Sequence, residues 1–344
     1  MKKLIALALA AVLALSLTAC ATPNPAPEAA PTAAPEEASS PLPSAAPEEE
    51  VDPTEVAVAG FDAEGAQIEV TVPYQPERVV VLDLANLDIL DNLGLGDCIV
   101  GAPTITLPYL QSYNDNLPIV GTVKTPDLEA VMACEPDLIL MGGRMAEYYD
   151  ELNEIAPTLR LTTVSDDGLV EAIRANAKTI GTIFGETEQV DALLAQYDAR
   201  IAALAAFAEG KTCVLGMSTS GSSDESESSE RGSGESGGHG SSGGSAEGSD
   251  SAGSTTTHGN EVSFEAVVAL NPAYIFVMDR DSAIGTSGAQ LASEIMENEL
   301  IMKTDAYQNG NLVILENPGI WYLAEGGITS LGIMLEDLES ALLQ

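Results

Sequence analysis

Short apolar segments alternate with amphipathic segments along most of this 344-residue chain, and this alternation restricts the fold more than any other feature does. Val79–Leu82, for example, is continuously apolar, and the following Leu87–Leu93 has a helical pattern that Gly94 ends. Buried strands that alternate with helices are typical of parallel βαβ units. The pattern therefore predicts an α/β fold built from parallel sheets.

One long segment without strand pattern, 186–209, divides the alternation, and apolar residues recur in it at spacings of three and four. Acidic residues open this segment and Gly210 closes it, as is usual for a helix. We therefore predict two lobes of parallel βαβ units, an N-terminal lobe at 56–185 and a C-terminal lobe at 210–344. A single long, rigid helix at 186–209 is predicted to join them.

An internal repeat supports the two lobes. Residues 129–144 align without gaps with residues 265–280, and seven of the sixteen positions are identical. Each copy reads as a helix, at Leu128–Ala133 and Phe264–Leu270, followed by a strand. The lobes are therefore expected to share one structural unit.

Both copies of the repeat end in an arginine, Arg144 in the first and Arg280 in the second. Each arginine follows the carboxyl end of a predicted strand, where open parallel sheets bind their ligands. A guanidinium is always charged and presents several donors to oxygen atoms. The repeat therefore predicts a cleft in which two arginines bind an anion from both sides.

The overall charge excludes one class of partner. The chain has 53 acidic and 13 basic side chains, with a formal net charge of −40. Binding to nucleic acid requires clustered Lys and Arg, so this function is excluded. Attraction to an anionic membrane surface is disfavoured for the same reason.

The amino terminus has the pattern of an exported lipoprotein. Two lysines precede an apolar run that is too short to span a bilayer, and Leu17-Thr18-Ala19-Cys20 follows. This tetrapeptide is similar to a bacterial lipobox, so we predict a signal peptide at 1–19 and a diacylglycerol on Cys20. The alternative is an ordinary signal peptide with a chance cysteine. Residues 20–55, rich in Ala, Pro and Glu, are predicted to tether an extracytoplasmic domain to the cell membrane.

A second low-complexity segment lies within the predicted C-terminal lobe. Residues 219–257 are mostly Ser and Gly, so they cannot bury enough surface to offset the entropy of ordering them. We predict that this segment is disordered. Among the other cysteines, Cys98 and Cys134 have no zinc or redox spacing, and both a disulfide between them and two buried thiols remain open.

Several motifs around the two arginines are similar to those of one bacterial family. They are Leu87-Asp88-Ile89-Leu90-Asp91-Asn92-Leu93-Gly94, Pro126-Asp127-Leu128-Glu129, Glu135-Pro136-Asp137-Leu138-Ile139, Thr257-His258-Gly259, Asn271-Pro272-Ala273-Tyr274-Ile275-Phe276, Asp279-Arg280 and Trp321-Tyr322-Leu323-Ala324. With the lipobox, they resemble the iron–siderophore solute-binding lipoproteins of ATP-driven importers. Among these the chain is most similar to the proteins that bind ferric catecholates, petrobactin-like and enterobactin-like.

This resemblance implies a function and an architecture. The protein is expected to be a monomer of the helical-backbone periplasmic-binding-protein type, with small hinge motion and no cofactor of its own. It is expected to capture a ferric siderophore between its lobes and to deliver it to a two-fold ABC permease and its ATPase for iron uptake. Glu129 and Glu265, which are equivalent in the repeat, are implied to dock onto arginines of the permease.

The resemblance also implies a set of ligand-binding residues: Arg144, Arg280, Arg231, Trp321, Tyr322 and His258. His258 and Tyr322 are further implied to complete the coordination of iron when the chelator supplies only four oxygens, which suits ferric iron as a hard acid. From the residues alone, the pattern around His258 favours a polar loop histidine, and Tyr322 fits equally a packing residue beside Trp321. The family's usual Arg- and Phe-containing segment is replaced here by the Ser/Gly segment, which contains Arg231.

The sequence leaves two alternative functions to consider. The same fold can bind haem, cobalamin or a hydroxamate siderophore, because a fold does not fix its ligand. The other alternative is a different class of function, an enzyme of the cell envelope. Gly216-Met217-Ser218 is followed by Thr219-Ser220, so no Gly-x-Ser-x-Gly nucleophile elbow forms there, and we expect no enzyme.

Overall fold

A computed structural model describes residues 54–165, 167–219 and 264–343 of the protein. The predictions for Cys20, Arg231 and His258 lie outside these residues, as do those for the signal peptide and for nearly all of the tether and the Ser/Gly segment. Within the described residues, no helix is both long and apolar enough to cross a membrane.

The described chain begins with an antiparallel hairpin. Strand β1 (Glu55–Phe61) pairs with β2 (Gln67–Pro73), in a register that sets Glu55 opposite Pro73. In the turn, the carboxylate of Asp62 accepts the N–H of Ala66 at 2.7 Å. The sequence pattern did not predict this hairpin, and β1 starts within the segment expected to be the tether.

A parallel sheet follows the hairpin and forms the N-terminal half of the fold. Its strand order is β4-β3-β5-β6, with all neighbours parallel. The strands are β3 (Val79–Val81), β4 (Ile99–Gly101), β5 (Leu138–Met141) and β6 (Thr158–Arg160). The helices are α1 (Leu84–Asn92), α2 (Ser112–Asn116), α3 (Leu128–Ala133), α4 (Tyr149–Ile155) and α5 (Leu169–Phe184).

The segment that joins the two sheets contains two helices where the pattern predicted one. These are α6 (Thr187–Ala195) and α7 (Asp198–Ala208). At the break, the N–H of Tyr197 bonds to the carbonyl of Leu194 three residues back, and the regular bond resumes from Ile201 to Tyr197. The φ and ψ angles at the break stay right-handed helical. The predicted single rigid helix is therefore interrupted by one tightened turn.

The C-terminal half repeats the same plan with a smaller parallel sheet. Its strand order is β7-β8-β9, and Cys213 lies opposite Tyr274 in the register. The strands are β7 (Cys213–Ser218), β8 (Tyr274–Asp279) and β9 (Leu312–Ile314). The helices are α8 (Phe264–Leu270), α9 (Arg280–Ile284), α10 (Ala292–Met296), α11 (Asp305–Gln308), α12 (Pro318–Leu323) and α13 (Ile328–Leu342).

One large apolar core connects the two halves. It extends from Val79 and Leu87, through Ile180 in α5, to Met278 in β8 and Leu331 in α13. The last helix therefore packs on the N-terminal half as well as on its own sheet. The parallel α/β architecture predicted from the alternation is confirmed.

The described cysteines are all free thiols, so the structure contains no disulfide between Cys98 and Cys134. Cys134 is buried, whereas Cys98 is half-buried and its thiol donates to the carbonyl of Leu95 at 3.0 Å. Burial raises the pKa of the Cys98 thiol to about 11. Both thiols therefore act as small apolar groups.

Candidate ligand-binding site

The two repeat arginines contact the same side chain. Arg144 lies in the 3₁₀ segment that follows β5, and Arg280 is the first residue of α9, directly after β8. Their guanidinium carbons lie 4.6 Å and 5.8 Å from the centroid of the Tyr322 ring, which is carried by α12. The structure thus brings together three of the residues selected from the sequence.

Hydrogen bonds orient these three side chains. Arg144 donates to the main-chain carbonyl of Tyr322. Arg280 donates from Nε to the Tyr322 hydroxyl at 3.3 Å, and its Nη1 lies 3.7 Å from the Asp281 carboxylate. Because a guanidinium carries five N–H donors, these contacts within the described residues hold both arginines in place and leave donors for an anion.

The phenol of Tyr322 is buried among cations. Burial by itself raises the pKa of this phenol. The hydrogen bond from Arg280 and the charges of Arg144, Arg280 and Lys124 act in the opposite direction and prevail, so the pKa lies below its ordinary value. A phenol that ionises more readily than an ordinary tyrosine supplies a hard oxygen donor, which suits ferric iron.

Lys124 is a cation near this cluster that the sequence reasoning missed. It is exposed and lies in a tight turn, where its N–H and that of Thr125 donate to the Thr122 hydroxyl at 3.2 and 3.1 Å. Its charge acts on Tyr322. A single lysine in a polar turn has no motif around it, so only the fold reveals its position.

Two acids lie close to Arg144. Asp83 follows β3 and caps α1, accepting the N–H of Ala85 at 3.0 Å. Glu325 follows α12, and its Oε1 lies 3.5 Å from the hydroxyl of Thr163. Burial raises the pKa of both carboxyl groups against the opposing charge of Arg144, and that of Glu325 reaches about 7.

A third carboxylate, Asp88 of α1, fixes the start of α13. It accepts the N–H groups of Thr329 and Ser330 at 3.0 and 2.9 Å, the Ser330 hydroxyl at 2.6 Å and the Tyr109 hydroxyl at 2.9 Å. Gly327 is the N-cap of α13, and a Cβ there would lie 2.0 Å from a carboxylate oxygen of Asp88. Asp88 therefore supplies the capping group that a glycine lacks.

Comparison with known proteins identifies the family. The sequence matches the periplasmic binding protein family over residues 79–318, which is more than half of the chain. The chain belongs to this family. It is therefore an extracytoplasmic binding protein and not an enzyme, as the sequence predicted.

Relatives within the family bind iron chelates. The petrobactin-binding protein of Bacillus subtilis (strain 168) is 33% identical over 275 residues, covering 79% of this chain and 84% of that protein. The ferric-anguibactin-binding protein of Vibrio anguillarum is 27% identical over 279 residues, covering 78% and 84%. The predicted resemblance to siderophore-binding proteins is confirmed.

Solved structures show the same fold. The crystal structure of the petrobactin-binding protein of B. subtilis matches with a TM-score of 0.66 and 28% identity, covering 84% of this chain and 99% of that one. The periplasmic catecholate-siderophore binding protein of Vibrio cholerae matches with a TM-score of 0.65 and 27% identity, covering 83% and 100%. The two-lobe fold of the family is thus the fold of this chain.

Trp321 lies apart from the arginine cluster in this binding protein. Its indole N–H donates to Asp337 of α13 at 2.8 Å, and Asn317 donates to the same carboxylate at 2.6 Å. Successive residues of a helix point about 100° apart, so Trp321 faces α13 while the adjacent Tyr322 faces the arginines. Its role in ligand binding stays a prediction.

The two glutamates of the repeat are both exposed, in the first turns of α3 and α8. Glu129 follows Asp127, whose carboxylate accepts the N–H of Ala130 and caps α3. Glu129 and Glu265 thus occupy equivalent places in the two copies of the repeat, as the sequence alignment predicts. Their docking to a permease stays a prediction. Within the described residues, no group of three or more His, Cys, Asp or Glu side chains is arranged to hold a metal ion.

Proposed function

We propose that this binding protein captures a ferric catecholate siderophore and delivers it to an ABC permease for iron uptake. The observation that carries the proposal is the contact of Arg144 and Arg280 with one buried tyrosine, Tyr322, whose pKa is lowered. Two guanidinium groups around an easily ionised phenol favour a ligand with dense negative charge. Ferric catecholates carry that charge, and hydroxamate chelates do not.

The relatives support the same class of ligand. One is named for petrobactin and a structural relative for catecholate siderophores. We assign the catecholate oxygens to Arg144, Arg280 and Lys124. The further contacts in this proposal are those of Arg231, His258, Trp321 and Tyr322, with His258 and Tyr322 as iron ligands when the chelator supplies four oxygens.

Delivery in this proposal uses surfaces outside the cleft. Glu129 and Glu265 are exposed at equivalent positions of the repeat, and equivalent acids suit a permease with two-fold symmetry. A diacylglycerol on Cys20 and the 20–55 tether would hold the monomer near the permease.

A titration of the purified protein with a panel of ligands tests the proposal. The chain contains one tryptophan, Trp321, so quenching of its fluorescence reports on a single place beside Tyr322. We expect a ferric catecholate to quench it with higher affinity than haem, cobalamin or a ferric hydroxamate. Tighter binding of one of these three, or no response to any ferric catecholate, would contradict the proposal.

The substitution Arg280→Gln tests the role of the arginine cluster. It removes a charged donor that faces the ligand, so we expect affinity for the ferric catecholate to fall about ten- to a hundredfold. Arg174→Gln is the matched control, because Arg174 pairs with Asp198 on the surface. Equal effects of the two variants in the same titration would show that the arginine cluster does not bind the ligand.

A further inference from the structure

Asp83 lies against the chain that carries Arg144. A Cβ built on Gly142, two residues before Arg144, would lie 2.2 Å from Oδ2 of Asp83. The same carboxylate is held in place by the main-chain N–H groups at the start of α1. One acid of the N-terminal half is therefore fixed beside the segment that presents Arg144.

Glu325 reaches the same place from the C-terminal half. A Cβ built on the next residue, Gly326, would lie 2.9 Å from the Cβ of Ala85 and 2.7 Å from the methyl group of Thr163. Ala85 is two residues from Asp83, so this close approach sets the segment that carries Glu325 beside the same end of α1, and the charge of Asp83 acts on Glu325. Segments from both halves thus place two acids near one arginine.

Neither acid forms an ion pair with Arg144. Among the described residues, no carboxylate oxygen lies within 4.0 Å of an Arg144 nitrogen. The charge of Arg144 nevertheless acts on both Asp83 and Glu325. The N–H donors of the arginine therefore stay available to an anion, while the negative charge nearby opposes the arrival of that anion.

We propose that Glu325 makes ligand capture proton-linked, taking up a proton as the negatively charged chelate arrives beside Arg144, with Asp83 as the fixed acid that disfavours a second negative charge. This inference rests on the proposed function, because it requires an anionic ligand at Arg144. In this proposal Glu325 and Asp83 are positioning residues. They do not contact the ligand but change the electrostatic potential at Arg144, which binds it.

The surroundings of Glu325 explain why it is the group that takes up the proton. The charged and titratable groups around it are Asp83, Arg144 and Asp88, and beyond Arg144 they are Tyr322, Arg280 and Lys124. Burial raises the pKa of Asp83 and Asp88 as well, but each accepts main-chain N–H groups, and these bonds oppose that rise by stabilising the carboxylate. The Glu325 carboxyl has fewer main-chain donors, since its partners are its own main-chain N–H and the hydroxyl of Thr163, which lies 3.5 Å from Oε1.

The sign of the linkage follows from charge. Burial raises the pKa of Glu325 to about 7 in the ligand-free protein, and an anion beside Arg144 would raise this pKa further. Affinity is then highest below the pKa of the free protein and falls as pH rises through the higher pKa of the complex. A shift of one pKa unit corresponds to about a tenfold change in affinity.

Calorimetric titration with a ferric catecholate, in two buffers that differ in ionisation enthalpy, measures the proton taken up on binding. At about pH 7.5, between the free and bound pKa values, we expect the wild-type protein to take up a fraction of a proton that Glu325→Gln does not. Between about pH 7 and pH 9, affinity of the wild type should fall about tenfold more than that of Glu325→Gln. Protonation of the chelate itself contributes equally to both proteins, so subtracting the proton uptake measured for Glu325→Gln removes this contribution.

Two further variants make this test specific. Glu316→Gln removes an exposed acid between β9 and α12 and should behave as the wild type. Thr163→Val removes the hydroxyl that lowers the pKa of Glu325, so the pH dependence should move to higher pH. Equal proton uptake by the wild type and Glu325→Gln, or an unmoved profile in Thr163→Val, would overturn the linkage alone. Failure of every ferric catecholate to bind would overturn the proposed function and the linkage together.

Discussion

At Tyr322, the charge of the neighbouring side chains decides whether the pKa of a buried phenol rises or falls. Burial raises the pKa of Tyr109 and Tyr113 as it does for any phenol, and their hydroxyls donate to the carboxylates of Asp88 and Asp91, which raises it further. Tyr322 instead accepts a hydrogen bond from Arg280, and its pKa is lowered. A neighbouring carboxylate therefore adds to the rise in pKa that burial causes, whereas a neighbouring guanidinium reverses it.

This difference predicts an early step in the ultraviolet titration of the tyrosines. Because cations lower the pKa of Tyr322, its phenolate should form at lower pH than that of an ordinary tyrosine, which ionises near pH 10. Tyr322→Phe should remove this step, whereas Tyr307→Phe, on the surface helix α11, should retain it. A titration curve of Tyr322→Phe with the early step intact would contradict the prediction.

The residues of the site differ in how far the sequence reveals them. Arg144 and Arg280 were predictable because they end the two copies of a repeat, and each copy places its arginine after a parallel strand. Lys124 and Glu325 were not. Their positions beside the cluster depend on turns between segments that are distant in sequence, and no local pattern encodes such proximity.

At the level of elements, α13 depends on α1 for its amino-terminal cap. Asp88 accepts two main-chain N–H groups in the first turn of α13, where Gly327 has no side chain to do so. Unpaired N–H groups at a buried helix end are costly. The contact therefore stabilises α13 and the association of the two halves at once.

The substitution Asp88→Ala should destabilise the protein by about 2–4 kcal/mol, because it removes the cap and leaves buried donors without an acceptor. Urea unfolding measures this change. Asp91→Ala is the control, as Asp91 is exposed on the same helix and accepts from Tyr113. A loss no larger than that of the control would show that Asp88 is not the cap on which α13 depends.

Elements were predictable where a local pattern determines them. The helix of the first repeat copy, Leu128–Ala133, has the bounds that its apolar spacing predicts, and the helix of the second copy ends at Leu270 as predicted. The break between α6 and α7 was not predictable, because its residues keep helical φ and ψ angles and only the hydrogen-bond spacing changes. The β1–β2 hairpin was missed because it directly follows a segment whose composition favours an extended tether.

Across the whole molecule, an ion pair joins the connecting segment to the last helix. Arg200 of α7 binds both carboxylate oxygens of Glu339 of α13, at 2.8 and 2.7 Å, and also donates to the carbonyl of Gly332. The hydrogen bond from Arg200 lowers the pKa of Glu339. Bidentate pairs of this kind fix orientation as well as contributing free energy.

The variant Glu339→Gln should unfold at lower urea concentration than the wild type at neutral pH. Because the folded-state pKa of Glu339 is lowered, its contribution is present above the unfolded pKa and is lost as pH falls through the folded pKa. The difference in stability between the two proteins should therefore shrink when the pH is lowered from neutral to below the ordinary pKa of a glutamate carboxyl, about 4. Glu336→Gln, an exposed change on the same helix, should match the wild type at both pH values; a gap between Glu339→Gln and wild type that persists in acid would contradict the assignment.

The bonds between Asp88 and α13 also set an order of events during biosynthesis. They join residues 241 and 242 positions apart, so α1 is synthesised long before Thr329 and Ser330. Contacts of such long sequence separation form late. In the nascent chain, α1 is therefore present before α13 has been synthesised. A chain truncated before Gly327 lacks the two main-chain N–H groups that Asp88 accepts. Synthesis of the start of α13 is therefore required before Asp88 of the N-terminal half has all of its hydrogen-bond donors.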